Sequence, residues 1–323
     1  MSISGHGATV ILILVIVATL MVAIERLWPG QKLPTVRWWW LRILFVNVAQ
    51  LGIVIVAGLS WDRWLSSVSL LRLSEWMNPW AAAGIAYFVS SFIYYFWHRL
   101  RHESDFFWRL CHQLHHSPRR IELLASFYKH PVEILINSVL SALIVYTLLG
   151  LSVQAAAIYT GITAIAEYFY HWNVRTPRWV GWIIQRPESH RVHHQYKHHS
   201  QNYADLPLFD WLFGTLKNPS ASPKRCGFTP RGEQRFGEML AFRDIHKTPL
   251  PPTCFGCRKR WACYASAQEQ ESGGICGASQ REEGLPNAGR KHKQPCTVGG
   301  RDGARTPVRI IPEPPSGLKS AHH

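Results

Sequence analysis

Residues 80–102 read WAAAGIAYFVSSFIYYFWHRLRH. From Trp80 to Trp97 no residue is charged, and His98-Arg99-Leu100-Arg101-His102 then follows without a break. An uncharged run of this length suits a helix crossing the roughly 30 Å apolar core of a bilayer. Two imidazoles four residues apart share one helix face. The stretch therefore predicts a membrane helix whose end delivers ligands to a site at the bilayer surface. An all-α integral membrane protein is the fold class that accommodates it.

The flanking sequence extends this pattern. Ala8 to Ile24 forms a first apolar run, with no basic segment before it and no small-residue cleavage site after it, so it reads as a span rather than a removed leader. Ile43 to Leu59 forms a second, flanked by Trp38, Trp39, Trp40 and Trp61, residues suited to the headgroup level. Val132 to Tyr170 is too long for one crossing at about 1.5 Å per residue, and Gly150 near its middle predicts two antiparallel helices joined by a turn. The count is four to five spans. Arg26, Lys32, Arg37 and Arg42 lie in the first connection, but only Arg63 and Arg72 in residues 61–78. That bias places the first connection in the cytoplasm and every histidine cluster on the same face, as a cytosolic helical cap.

Composition agrees. Charged residues make up 17% of the chain and hydrophobic residues 47%, against about 25% charged in average soluble proteins. The net charge of +15 does not indicate nucleic acid, since basic residues sit beside apolar runs or in the C-terminal segment and no groove-reading motif accompanies them. Six of seven cysteines lie at or after Cys226, so no disulfide framework spans the core. The expected organisation is N-terminal membrane helices over 1–78, a histidine-rich domain over 79–220, an extension over 221–247 and a basic Cys/Pro/Gly tail of low order over 248–323. Cys254, Cys257 and Cys263 in that tail include a C-x2-C pair without a second clean pair, which argues against a zinc site.

Seventeen histidines is a high count, and their placement is informative. His98 and His102 form H-x3-H; His112, His115 and His116 form H-x2-HH; His190, His193 and His194 repeat it; His130 and His171 stand at the ends of the long apolar stretch. A lone histidine such as His130 is more often structural than a ligand, and His198 and His199 break the spacing. The clusters together are not explained by solvation or packing. Each aims two or three imidazoles at one point, and eight or more exceed the needs of one ion, so two metals are expected. Imidazole suits zinc, copper, iron and nickel alike. A redox metal beside a bilayer makes sense where the substrate is a lipid with no easier reactive group. A membrane protein binding or transporting zinc or copper is the rival reading, although transport favours ionisable residues within the spans and these spans are nearly bare of them.

The segments His98–His102, His112–Ser117 and His190–His194, with the closing Asn202-Tyr203-Ala204-Asp205-Leu206-Pro207 and Asp210-Trp211-Leu212-Phe213-Gly214-Thr215, resemble the fatty acid hydroxylase/sterol desaturase superfamily over roughly residues 80–220. His130-Pro131-Val132-Glu133 and His171-Trp172-Asn173 also stand where that family has such motifs. The resemblance implies two non-haem irons held by His98, His102, His112, His115, His116, His171, His190, His193 and His194, with O2 as co-substrate. It implies hydroxylation or desaturation of a lipid C–H bond, sterol or fatty acyl. Some members carry a further histidine where this chain has Arg175. No haem, flavin or nicotinamide motif is visible, so electrons are expected from an external donor of cytochrome b5-, ferredoxin- or reductase-like type. Metal-bound imidazoles usually donate their other N–H to a carboxylate or carbonyl, which makes Glu133, Glu167, Asp205 and Asp210 candidates, with Glu167 and Asp205 the catalytic choices; a plain ion pair of Glu167 with an Arg or Lys at the headgroup boundary is the equal alternative. Arg99, Arg101, Arg119 and Arg120 offer positive charge to lipid phosphates, and the ordinary positive-inside bias explains them equally well.

Overall fold

The computed structural model describes residues 5–65 and 67–248; the expectations for the tail beyond Thr248 lie outside the described residues. The principal helices are α1 (Gly5–Leu27), α2 (Trp39–Leu59), α3 (Pro79–Glu103), α4 (Gln113–His116), α5 (Pro131–Ala142), α6 (Val153–His171), α7 (Pro187–His193) and α8 (Pro207–Leu212). Two stretches are wound as π-helix, Trp108–His112 ahead of α4 and Leu143–Leu148 continuing α5. Among the described residues there is no strand, only an isolated antiparallel bridge between Gln195 and Cys226.

The helices begin where side chains can replace missing backbone partners. Asn78 accepts hydrogen bonds from the Trp80 and Ala81 amides, with Pro79 in the first turn of α3. Ser152 accepts from Ala155 at the start of α6. Such a cap contributes about 1 kcal/mol. The turn expected between the halves of the long apolar stretch is present. Gly150 has φ +67°, and a Cβ there would lie 2.8 Å from Arg72 Cα, so only glycine fits.

The long helices α1, α2, α3, α5 with its π extension, and α6 run back and forth between two ends. At one end α1 finishes against the end of α6, where Trp172 Nε1 donates to Met21 O at 2.7 Å. The start of α2 is there too, Trp39 stacking on Tyr128 at 5.5 Å. At the other end the chain entering α3 pairs with the end of the π extension, Leu70 N donating to Thr147 O and Leu73 N to Leu149 O. All nine predicted ligands lie at the first end. Three segments, Thr9–Leu27, Trp39–Leu65 and Pro131–Leu148, are long and apolar enough to cross a membrane. Leu12, Val15 and Leu20 on α1 and Leu44, Val48 and Leu51 on α2 stand about half exposed, an apolar surface no soluble protein would leave bare. α3 and α6 are also long enough to cross but carry hydroxyls and histidines on faces turned inward. They meet through Ala82, Ala83 and Ala86 against Ala155 and Ala156, small residues that let backbones approach closely.

Helix α1 runs past Ile24 through Glu25 and Arg26, residues that read as connection. They are helical because they have partners. Glu25 Oε2 accepts from the Leu123 and Asn173 amides at 3.1 Å. Fully buried Glu122 receives Arg26 Nη1 at 2.7 Å, Arg120 Nε at 2.9 Å and Trp39 Nε1 at 2.7 Å. This network clamps the first two helices to the histidine end.

Candidate metal centre

The nine histidines sort into two groups. Ligand atoms of His98, His102, His112, His116 and His193 lie within 4.8 Å of one another, and so do those of His115, His171, His190 and His194. The sequence reading had each cluster aimed at one point; the structure splits both H-x2-HH segments. At about 100° per residue, positions i and i+4 nearly superpose while i+3 falls on the other side of them. His112 and His116 accordingly face the first group and His115 the second, whereas His190 and His194 face the second and His193 the first. His98 and His102, one turn apart at the end of α3, complete the five; His171, the last residue of α6, completes the four.

His112 Nε2 is the hub of the first group, 3.0 Å from His98 Nε2, 3.0 Å from His102 Nε2 and 3.1 Å from His116 Nε2. In the second, His190 Nε2 lies 3.1 Å from His171 Nε2 and 3.0 Å from His194 Nε2. One N–H cannot satisfy three converging nitrogens, and neutral lone pairs facing one another repel. A cation resolves both problems. Donors about 2.1 Å from an ion and at right angles to each other are about 3.0 Å apart, whereas tetrahedral donors are about 3.4 Å apart. The five separations above, 3.0–3.1 Å, are of the order that donors to one ion have. His193 Nε2 is buried without a hydrogen-bond partner among the described residues, as expected of an atom reserved for a ligand bond.

The opposite ring nitrogens fix the rings. His98 Nδ1 is 2.7 Å from Tyr203 O, His193 Nδ1 2.7 Å from Gln201 O, His171 Nδ1 3.0 Å from Glu167 O and His115 Nδ1 3.3 Å from Tyr128 O. His112 Nδ1 lies 3.1 Å from Glu133 Oε1, and that carboxylate also pairs with Arg101. Burial pushes the imidazoles of His112, His115, His116, His190 and His194 well below the ordinary histidine range and His193 to about 3. They are neutral at physiological pH, the state in which nitrogen binds a metal.

The carboxylate candidates separate clearly. Glu133 reaches a histidine directly. The Glu167 carboxylate pairs with Lys129, and His171 is oriented by the Glu167 main-chain carbonyl instead. Asp205 is held with Tyr170 at the cavity wall, and burial raises its carboxyl to about 7. Asp210 accepts from the Tyr203 and Ala204 amides at 2.8 and 2.9 Å, shaping the loop that supplies Tyr203 O to His98. The four arginines offered to lipid phosphates are engaged within the protein, Arg99 with Glu103, Arg101 with Glu133, Arg119 with Glu233 and Arg120 with Glu122. His130 caps α5, its Nδ1 accepting from Val132 N at 3.1 Å, and stands outside both groups. Arg175 donates to Gly30 O.

One residue set aside by spacing belongs here. His199 Nδ1 lies 3.1 Å from His116 Nδ1. It sits five residues beyond His194, outside α7 and with φ +41°, so helical periodicity could not place it.

A cavity of about 350 Å³ reaches His98, His112, His115 and His190 from between α2, α3, α5 and α6. Its lining includes Glu133, Glu167 and Asp205.

Comparison with known proteins finds similarity over this region. Residues 83–215 match the model of the fatty acid hydroxylase family. Ornithine lipid hydroxylase OlsE of Rhizobium tropici is 30% identical over 205 residues, 59% of this chain and 61% of that protein. Fatty acid hydroxylase domain-containing protein 2 of Macaca fascicularis is 26% identical over 45% of this chain and 43% of its own length. Sphingolipid C4-hydroxylase sur2 of Schizosaccharomyces pombe is 27% identical over 42% and 48%. The chain thus spans about half the length of these curated relatives. No solved structure matches significantly.

Proposed function

We propose, from the premise that residues 83–215 are a fatty acid hydroxylase domain, that this protein is a membrane-bound non-haem di-iron oxygenase that hydroxylates a lipid C–H bond, with desaturation as the neighbouring outcome. The observation that carries the reading is the division of nine histidines into groups of five and four. His98, His102, His112, His116 and His193 would hold one iron, and His115, His171, His190 and His194 the other. Iron in these positions would supply, with O2 as co-substrate, the oxidising power against an unactivated C–H bond that side chains lack.

The chain's own residues do the rest. Main-chain carbonyls and Glu133 hold the rings from behind, so the donor set needs little rearrangement to bind. The cavity positions the substrate beside His98, His112, His115 and His190, converting a diffusive encounter into an oriented one. Asp205, poised near pH 7 with Tyr170, holds or releases a proton at that wall. Glu167 keeps Lys129 neutralised at the cavity floor. The five long helices supply four to five spans, with the histidine end facing the cytoplasm, where an external electron donor of cytochrome b5-, ferredoxin- or reductase-like type docks. A lipid substrate, sterol or fatty acyl in type, fits both the bilayer location and the names of the relatives.

Metal analysis tests this. The full chain is purified in detergent under low oxygen and its metals counted by mass spectrometry, beside His112→Ala and His193→Ala. About two irons per chain, diminished in both variants, is the expected result. Two zincs that iron cannot replace, or no tightly held metal, would sink the di-iron mechanism.

A further inference from the structure

The chain that follows the histidine clusters carries an apolar surface that the bundle does not use. Trp179, Trp182, Ile183, Trp211 and Leu212 stand 59–65% exposed, as bare as Leu44, Val48 and Leu51 of α2 at 60% each. The first three lie in, or just after, a short 3-10 helix, Arg178–Trp182, and the other two in α8. The two elements pack together and are tied by hydrogen bonds. Asn218 Nδ2 donates to Arg178 O at 3.0 Å, and Gln185 N to Asp205 O at 2.9 Å. Large apolar side chains left bare in one place mark an interaction surface.

What covers this surface follows from where α8 sits. The Phe209 ring lies 5.3 Å from that of Phe88 and 5.4 Å from that of Phe92, and Phe213 lies 5.1 Å from Phe96. Phe88, Phe92 and Phe96 form one row on α3 and are themselves 41–47% exposed. Phe92 and Phe88 precede His98 by six and ten residues, which is about 9 and 15 Å along a helix. Thus α8 does not rest on top of the histidine end. It hangs beside α3, along the stretch that crosses the apolar core in the membrane reading, and its bare face continues the phenylalanine row.

The chemistry of α8 suits that depth. From Leu206 to Phe213 the only polar side chain is Asp210, which is buried and accepts from the Tyr203 and Ala204 amides and the Thr215 hydroxyl. The backbone is satisfied from inside as well. Leu206 N donates to Ser91 Oγ at 3.1 Å, Phe213 N to Phe209 O at 3.0 Å, Gly214 N to Trp211 O at 3.2 Å and Thr215 N to Asp210 O at 2.7 Å. Backbone at membrane depth must find its partners within the protein. The exposed indoles complete the pattern, since tryptophan is at home where acyl chains meet headgroups.

We propose that residues 206–213, with Trp179, Trp182 and Ile183, form a short re-entrant anchor immersed in the bilayer leaflet at the histidine end, its partner the acyl-chain zone beneath the headgroups. The proposal rests on the membrane reading of the long helices. Through Asp205 at the cavity wall and Tyr203 O behind His98, the same segment joins that leaflet to the frame of the histidine site.

Photo-crosslinking of the full-length protein in phosphatidylcholine nanodiscs tests it. The photoreactive residue p-benzoylphenylalanine replaces one side chain at a time: Trp182 or Trp211 in the anchor, Leu44 on α2, and exposed Lys197 in the loop after α7. Phospholipid adducts, counted by mass spectrometry, are expected at Trp182 and Trp211 within about three-fold of Leu44 and about ten-fold above Lys197. In the wild-type protein, hydroxyl radicals should oxidise Trp179, Trp182 and Trp211 about ten-fold less than the half-buried Tyr196, a reading that needs no variant to fold. Adducts at Leu44 with none at Trp182 and Trp211 overturn the proposal alone, whereas none at any position overturns the membrane reading with it. Crosslinks between two copies of the chain at Trp182 or Trp211 overturn it in favour of a dimer contact. Oxidation of the three tryptophans as fast as Tyr196 overturns it in favour of a surface open to water.

Discussion

The two histidine groups look like copies of one idea, yet they are anchored differently. In the group of five, His98 and His193 are backed by main-chain carbonyls, His112 by the Glu133–Arg101 pair and His116 by His199. In the group of four, His115 and His171 lean on main-chain carbonyls, while Nδ1 of His190 and of His194 has no hydrogen-bond partner among the described residues. Each group thus has two rings backed by main-chain carbonyls, and the first adds a charged pair behind His112 and an imidazole behind His116 that the second lacks. Outer partners of metal-bound histidines are worth about 10–100-fold in metal affinity. Under the di-iron proposal, an ion in the first group would be held firmly and one in the second would exchange more readily.

The sharpest way to break the comparison is to remove one donor from each side. His102→Ala and His190→Ala should each cost about one metal per chain, counted by mass spectrometry, and reduce lipid oxidation to background. Staged chelation of the wild-type protein should empty the group of four first; a simultaneous loss, or the reverse order, would abolish the distinction drawn here. Acid is the perturbation that should not separate them. Three histidines of each group, His112, His116 and His193 against His115, His190 and His194, are held below their ordinary value by burial. The folded chain refuses protons that the unfolded chain accepts, so this contribution to stability is complete above about pH 6.5 and declines as pH falls below it. Thermal unfolding of the metal-free protein should be flat from pH 8 to 7 and fall steadily below 6.5. A smaller effect is expected from Glu133→Gln, which keeps the shape but loses the charge facing His112 and Arg101. Affinity of the first site should drop about 10–100-fold, measured by competition with a chelator, with the second site unchanged.

What could be read from sequence follows from how far each signal reaches along the chain. Eight of the nine members of the two groups stand at spacings of three and four, which mark one side of a helix whatever it packs against, whereas the lone His171 was named only through the family resemblance. The turn at Gly150 was legible too, a purely local requirement. The division of each H-x2-HH between two centres was not, since it depends on what lies opposite each helix. His199 was missed for the same reason, being brought to His116 by a turn and not by periodicity. Glu25 and Arg26 read as a loop because their partners, Asn173 and Glu122, lie far along the chain. For Glu167 the sequence left two readings open, a partner for His171 and an ion pair with Arg or Lys; its carboxylate goes to Lys129 and the ring takes the main-chain carbonyl, a choice that spacing cannot distinguish. The hydroxyl stripes of α3 and α6 passed unnoticed because the spans were searched for ionisable groups, and serine, threonine and tyrosine count as uncharged.

His193 and His194 are consecutive residues on one short helix, and they serve opposite centres. A helix that turns about its own axis cannot move one without moving the other. A rotation that draws His193 inward swings His190 and His194 away, and the reverse rotation does the opposite. The segment around His112, with His115 facing the other way, is geared in the same manner. The two centres are therefore mechanically meshed: slack taken up at one is let out at the other, and a distortion begun on either side is felt on both within a single turn of helix.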